Sequence, residues 1–298
     1  MAGDQLQPPQ KARAFRVLPQ MSPEQALRGM VLALYRQILG NADGVLASDN
    51  PEYVHQMRIA VRRLRSVLRM FRQTGADDLR LRSGVALKAL GRALGAVRDL
   101  DVFREAVEPT LIAISTQAAG TARAAIEARV CAARARLRRY LRTATYRRLI
   151  GQLDRWLAAP LPTAGNAALT LLARRQLKRL NLRVELGAAR WETQDDAERH
   201  TLRIEIKRAR YAAELLAGLY AAKHARAYVA ALVKVQDSLG SLTDIKTAKS
   251  LLRDLELGGE IELRLLAGWR VRARRAERSL GRGFAAVAAA AGFWKRHH

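Results

Sequence analysis

Cysteine, aromatic and acidic side chains are what this chain has least of. Its one cysteine, Cys131, excludes an intrachain disulfide and a thiolate metal cluster and fits a reducing compartment. Aromatics are 5% of the residues, which leaves few platforms on which bases would stack. Alternating β-branched stretches are nearly absent, and no segment reads convincingly as a strand. No apolar run approaches the ~20 residues of a membrane-spanning helix. The stretch from Met1 to Gln20 carries three prolines and no apolar centre, which excludes a secretory signal there. The scarcity of acid has the largest consequence: 27 Asp+Glu against 53 Lys+Arg leave a formal charge of +26. Such a balance calls for a polyanionic partner, whether nucleic acid, an anionic membrane surface or an inorganic polyphosphate-like chain.

What the chain does have, twice, is one helix pattern. His55-Gln56-Met57-Arg58-Ile59-Ala60-Val61-Arg62-Arg63-Leu64-Arg65 returns as His200-Thr201-Leu202-Arg203-Ile204-Glu205-Ile206-Lys207-Arg208-Ala209-Arg210, and Leu94-Gly95 with Asp99 returns as Leu239-Gly240 with Asp244 at the same offset. The chain reads as a tandem duplication. In each copy a histidine is followed by cations at i+3, i+7 and i+10, which lie along one helix face.

Ala, Leu and Arg dominate and Pro is scarce, so the expected fold is all-α: two antiparallel four-helix-type bundles related by the internal duplication. Residues 1–21 read as a disordered lead-in, 22–158 as the first bundle, 159–166 as a linker rich in helix-stopping residues, and 167–295 as the second bundle. Ser22-Pro23-Glu24 and Asn50-Pro51-Glu52 are helix starts, and Asp195 takes the place of Asn50 in the second copy. Helices are expected over 23–46, 51–73, 77–94 and 99–114, then a long segment over 121–157 with a break near Thr143, and a final helix over 259–295. His297 and His298 are given no function.

A helical wheel separates two faces. Arg58, Arg62, Arg65 and Arg69 share the sector of His55, while Met57, Val61, Leu64, Leu68 and Phe71 lie opposite. In the second copy His200, Arg203, Lys207 and Arg210 form the polar face, against Leu202, Ile206, Ala209, Ala213 and Leu216. Four donors spread over ten residues make a row ~15 Å long, suited to a linear anion with several phosphates. From Tyr53 to Arg72 there are six arginines and no acid, a repulsive arrangement that an anion would relieve. The second copy is milder, because Glu205 interrupts it and Glu214 stands where Arg69 stood. The first row is therefore expected to contribute more. The histidines fit two roles, phosphate contact or helix-packing donor, and no nucleophile or carboxylate stands at triad-like spacing from them.

The repeated Leu-Gly…Asp motif reads as a helix end followed by a helix start, with Gly95 and Gly240 past one helix and Asp99 and Asp244 capping the next. Lys88 and Arg92 share a face with Gly95 and Asp99 and extend the cationic surface; Lys234 is a further candidate from the second half. The clusters around Arg134, Arg179 and Arg270 read as ordinary exposed faces.

Taken together, the His-x-x-Arg helices and the Leu-Gly-x-x-Arg-Asp-Leu-Asp run at Leu94–Asp101 resemble the CHAD domain, a histidine-marked all-helical domain, over about Ser22 to Lys295. The resemblance implies two four-helix bundles about a pseudo-two-fold axis, with a basic central surface that binds inorganic polyphosphate, in a cytoplasmic protein associated with polyphosphate granules. It places His55, Arg58, Arg62, Arg65, His200, Arg203, Lys207 and Arg210 on that surface. Some relatives of this kind carry a triphosphate hydrolase marked by alternating glutamates on a strand. Glu260-Ile261-Glu262-Leu263-Arg264 is a chance match within a helical region, so no enzymatic activity, metal or cofactor is expected. Two alternatives stand beside polyphosphate binding: a nucleic-acid-binding helical protein, with weak nonspecific contact, or an accessory subunit of a polyphosphate-metabolising enzyme.

Overall fold

Helices begin where a side chain can accept the first free backbone N–H groups, and the three capping residues seen in the sequence do so. In the computed structural model, which describes residues 6–11, 15–160 and 169–295, Ser22 and Gln25 cap helix α1 (Pro23–Ala47) reciprocally. Asn50 accepts the Glu52 N–H at 2.9 Å to start α2 (Pro51–Met70). Asp195 and Glu198 form the reciprocal cap of α7 (Asp196–Leu216), at 2.8 and 3.0 Å. Each cap contributes ~1 kcal/mol and fixes where the following stripe begins. The other helices are α3 (Asp77–Ile114), α4 (Gln117–Leu141), α5 (Ala144–Ala158), α6 (Leu169–Ala189), α8 (Ala222–Asp254) and α9 (Gly259–Ala290). The fold is all-α, with no strand among the described residues. Nor is any helix among them long and apolar enough to cross a membrane.

Helices α2 and α7 start 145 residues apart, and so do α3 and α8, at the offset of the sequence motifs. Within the first set α1 packs on α2, α2 on α3, and α3 on α4 and α5; within the second α6 packs on α7, α7 on α8, and α8 on α9. The sets meet where α2 touches α7 and where α3 touches α8 and α9. Buried apolar residues from Val17 to Trp294 form one cluster that runs through both.

Three sequence expectations are corrected. The helices expected over 77–94 and 99–114 are one, α3, which runs through Gly95; α8 likewise runs through Gly240. Neither glycine has the positive φ of a helix end. A glycine inside a helix costs ~1 kcal/mol relative to Ala, and burial of Leu90, Leu94, Val97 and Leu100 around the first one offsets it. Asp99 and Asp244 are therefore mid-helix residues, not caps. The first set also has five helices rather than four, because the break at Thr143 is real: its hydroxyl caps α5 by accepting the Tyr146 N–H.

The third correction concerns the lead-in expected to be disordered. In its described parts, the Gln7 carbonyl accepts the Tyr53 hydroxyl at 2.8 Å, and Gln10 and Asn41 exchange backbone and amide hydrogen bonds at 3.0 and 2.9 Å. Val17 is fully buried. Composition misjudged it because these backbone groups find partners on α1 and α2. Most of the expected linker, 161–166, lies outside the described residues, as do His297 and His298.

Candidate polyanion-binding site

The amphipathic faces of α2 and α7 decide where their cations point. Met57, Val61, Leu64 and Leu68 are at most 1% exposed, and Leu202, Ile206, Ala209, Ala213 and Leu216 at most 2%, as the wheel requires. With both apolar faces committed to the core, the cationic faces meet over a recess open to solvent. His55, Arg58 and Arg62 of α2, Arg203 and Lys207 of α7, Arg98 and Asp99 of α3, and Asp244 of α8 line it. Residues 145 apart in sequence act on one another there: Arg58 on Arg203, Arg62 on Lys207, and Asp99 on Asp244.

Cations outnumber acids in this recess, and their proton affinities register it. Burial, with repulsion from Arg203, Arg62 and Arg58, pushes the Lys207 ammonium down to about 7. Burial first, then Arg98, lowers His55, with Glu52 opposing. Arg62 and Arg203 are likewise lowered by burial and by neighbouring cations, though a guanidinium stays charged at neutral pH. The Arg58 guanidinium lies 3.9 Å from Asp99 and passes beside Gly95, where an added Cβ would meet its Nε at an ordinary contact distance of 3.7 Å. Burial and the facing Asp244 raise the Asp99 carboxyl, and Arg58 opposes them. The Nε groups of Arg62 and Arg203 are buried and make no hydrogen bond within the protein.

Outside the recess the sequence-predicted residues go to different places. Arg65 feels Arg208 and Arg92, and Arg69 feels Arg208 and Arg65, so these form a neighbouring cluster. Arg210 lies 3.6 Å from Glu214 and stacks on Tyr211. His200 is exposed and lines an adjacent depression with Arg199, Lys246 and Lys249, joined to the recess through Arg203. Lys88 is exposed on α3 and does not line the recess. Lys234 lines a separate groove between α8 and α9, with His224 and Lys295, which parts it from the other candidates.

Four contributors escaped sequence reasoning. Arg98 lines the recess, and the wheel of a single continuous α3 would have found it. Asp99 and Asp244 were noticed as a repeat but assigned to capping. Tyr211, 1% exposed, has three guanidinium groups against its ring, those of Arg62, Arg63 and Arg210 at 5.3, 5.8 and 4.9 Å from the centroid. Such contacts contribute ~0.5–1 kcal/mol each and hold the arginines in place. Arg63 also donates to Glu214 across the α2–α7 contact at 2.9 Å, a pairing no helical pattern foretells.

A search of curated protein sequences gives no match. Among solved structures, the crystal structure of the CHAD domain from the plant Ricinus communis aligns with a TM-score of 0.74 at 28% identity, covering 95% of this chain and 96% of that one. PptA from Streptomyces chartreusis aligns with a TM-score of 0.62 at 17% identity, over 93% and 100% of the two chains, a likeness of fold alone. The sequence model of the CHAD domain matches residues 29–253, well over half the chain. This chain belongs to the CHAD domain family.

Proposed function

We propose that the chain binds inorganic polyphosphate without chemically altering it, holding a phosphate chain in the recess between α2 and α7 and associating through it with polyphosphate granules. The observation that carries this reading is the facing of Arg58 and Arg62 by Arg203 and Lys207, with buried guanidinium N–H groups that no protein acceptor meets. Guanidinium forks suit phosphate oxygens, and charge-assisted hydrogen bonds to a bound anion would relieve the mutual repulsion. Counterion release supplies further affinity, as it does for nucleic acids at a salt slope of about 0.7–0.9 per neutralised phosphate. CHAD family membership points the same way.

Changing Arg58, Arg62 and Arg65 together to Glu is expected to abolish retention of long-chain polyphosphate while helical circular dichroism persists. Undiminished binding would remove the site assignment. Competition with duplex DNA at physiological salt tests the nucleic-acid alternative, and displacement of polyphosphate at equal phosphate concentration would favour it. Orthophosphate release in the presence of Mg²⁺ would overturn the non-enzymatic reading.

A further inference from the structure

The two sides on which α2 leaves the recess are built differently. On the wheel Arg63 lies to one side of Arg62 and Arg65 to the other, and on α7 Arg210 and Arg208 flank Lys207 in the same way. On the first side Glu214 pairs with both Arg63 and Arg210, at 2.9 and 3.6 Å, and the buried Tyr211 ring holds the guanidinium groups in place. That side sets one acid between two arginines and so is partly neutralised.

On the second side Arg65 and Arg69 face Arg208, and helix α6 adds more charge. The Gln176 amide donates to the Met70 carbonyl at 3.1 Å, which pins α6 beside the end of α2. Arg179 donates to Gln176 at 2.5 Å and interacts with Arg72, Arg183 and Arg208. Arg183 lies 3.4 Å from Glu205, a carboxylate that Arg208 also engages. Six arginines, at 65, 69, 72, 179, 183 and 208, thus gather about one acid. Arg179 and Arg183 are exposed, and α6 carries five cations, Arg174, Arg175, Lys178, Arg179 and Arg183, where α1 carries only Arg28 and Arg36, the first of them bound to the Leu157 and Ala159 carbonyls. The α6 side, with this lane of arginines, is therefore the more cationic of the two.

We infer that a polyphosphate chain held in the recess leaves it on this side only, passing Arg65, Arg69 and Arg208 to Arg179 and Arg183, so that α6 is a second subsite that senses chain length. The inference rests on the polyphosphate reading above. From Arg62 to Arg69 the path along α2 is ~10 Å, so a short oligophosphate seated among Arg58, Arg62, Arg203 and Lys207 does not reach α6.

The test compares tripolyphosphate with long-chain polyphosphate, by calorimetry across a salt series, on the whole chain and on Arg179→Gln with Arg183→Gln. Tripolyphosphate affinity is expected to hold within about twofold, while long-chain affinity falls about tenfold and its salt slope drops by about one to two. Arg270→Gln with Arg274→Gln on α9, both exposed and outside these cavities, controls for net charge and is expected to change neither ligand. Unchanged long-chain affinity in the α6 variant, an equal fall in the α9 control, or an equal loss of both ligands overturns the lane while leaving the recess assignment standing. Absence of binding by the unaltered chain overturns both.

Discussion

Helix α2 and helix α7 carry the same donor spacing but treat acid differently. Between Tyr53 and Arg72 helix α2 has no carboxylate, whereas α7 has Glu205 and Glu214. Composition alone ranks α7 as the weaker half. The geometry moves the difference elsewhere, because Glu205 engages Arg183 and Arg208 and Glu214 engages Arg63 and Arg210, all at the margins. In the recess itself Arg203 and Lys207 stand opposite Arg58 and Arg62 with no carboxylate from either helix. An acid within one of two repeated motifs thus need not weaken the recess that both line.

This equality in the recess can be broken directly. Reversing Arg58 and Arg62 to Glu is expected to cost at least about 100-fold in long-chain polyphosphate affinity, since each charge-assisted donor contributes ~1.5–3 kcal/mol. Reversing Arg203 and Lys207 to Glu is expected to cost about as much, within roughly threefold. A much smaller loss from the α7 pair, measured by filter retention or calorimetry, would restore the ranking that composition suggests. Next in size is Tyr211, which stands where the first copy has Ser66 and so exists on one side only. Tyr211→Leu should lower affinity about tenfold by freeing Arg62 and Arg210, while Tyr211→Phe, which keeps the ring, should stay near the unaltered value. If the Phe variant falls as far as the Leu variant, the hydroxyl and not the ring is what matters.

The parts of the fold legible in the sequence were those set by local chemistry. Ser22, Asn50 and Asp195 announce their helices because capping is a contact between near neighbours, and the buried faces of α2 and α7 follow from periodicity. Gly95 misled because a glycine that ends a helix and one within it look alike in sequence, and only the burial of Leu94, Val97 and Leu100 on either side shows that α3 continues. Arg63 with Glu214, Tyr211 beneath three arginines, and α6 beside the end of α2 depend on contacts between distant segments, which no spacing rule encodes. Lys234 shows the converse, a cation of the right type whose helix position carries it to another groove.

The replacement of an arginine by Lys207 at the position of Arg62 gives the two helices different responses to pH. In the free protein Lys207 loses its proton near pH 7, and a bound polyanion favours the charged form, so binding takes up a proton. Affinity should therefore decline as pH rises through about 7, with His55, also lowered, adding to the slope at lower pH. Lys207→Arg should flatten the upper part of the profile, because a guanidinium keeps its charge. Stability of the free protein should run oppositely. The unfolded chain, with an ordinary lysine, binds more protons between pH 7 and 10.5, so this group adds stability as pH rises across that window. Thermal melts with and without polyphosphate at pH 6 and 8 check both signs; a pH-independent affinity in the unaltered chain would show Lys207 to be remote from the ligand.

The smallest expected effect concerns how the two sets of helices hold the lead-in. The first set binds it by hydrogen bonds, through Tyr53 and Asn41, and by packing Phe15 on Gly29, while the second holds it by close packing alone at Gly218, where a Cβ would come within 2.3 Å of the Val17 carbonyl oxygen. Gly218→Ala must therefore displace Val17, which is fully buried, or shift the turn that follows α7. Overpacking of this kind costs ~1–3 kcal/mol, so the melting temperature should fall by a few degrees. Polyphosphate affinity should be unchanged, because neither Gly218 nor Val17 lines the recess. Tyr53→Phe, which loses the bond to Gln7 on the other side, should cost less, about 1 kcal/mol. If Gly218→Ala lowered affinity as well as stability, the lead-in would have to be setting the distance between α2 and α7, and the recess would depend on a segment that the helix repeat does not contain.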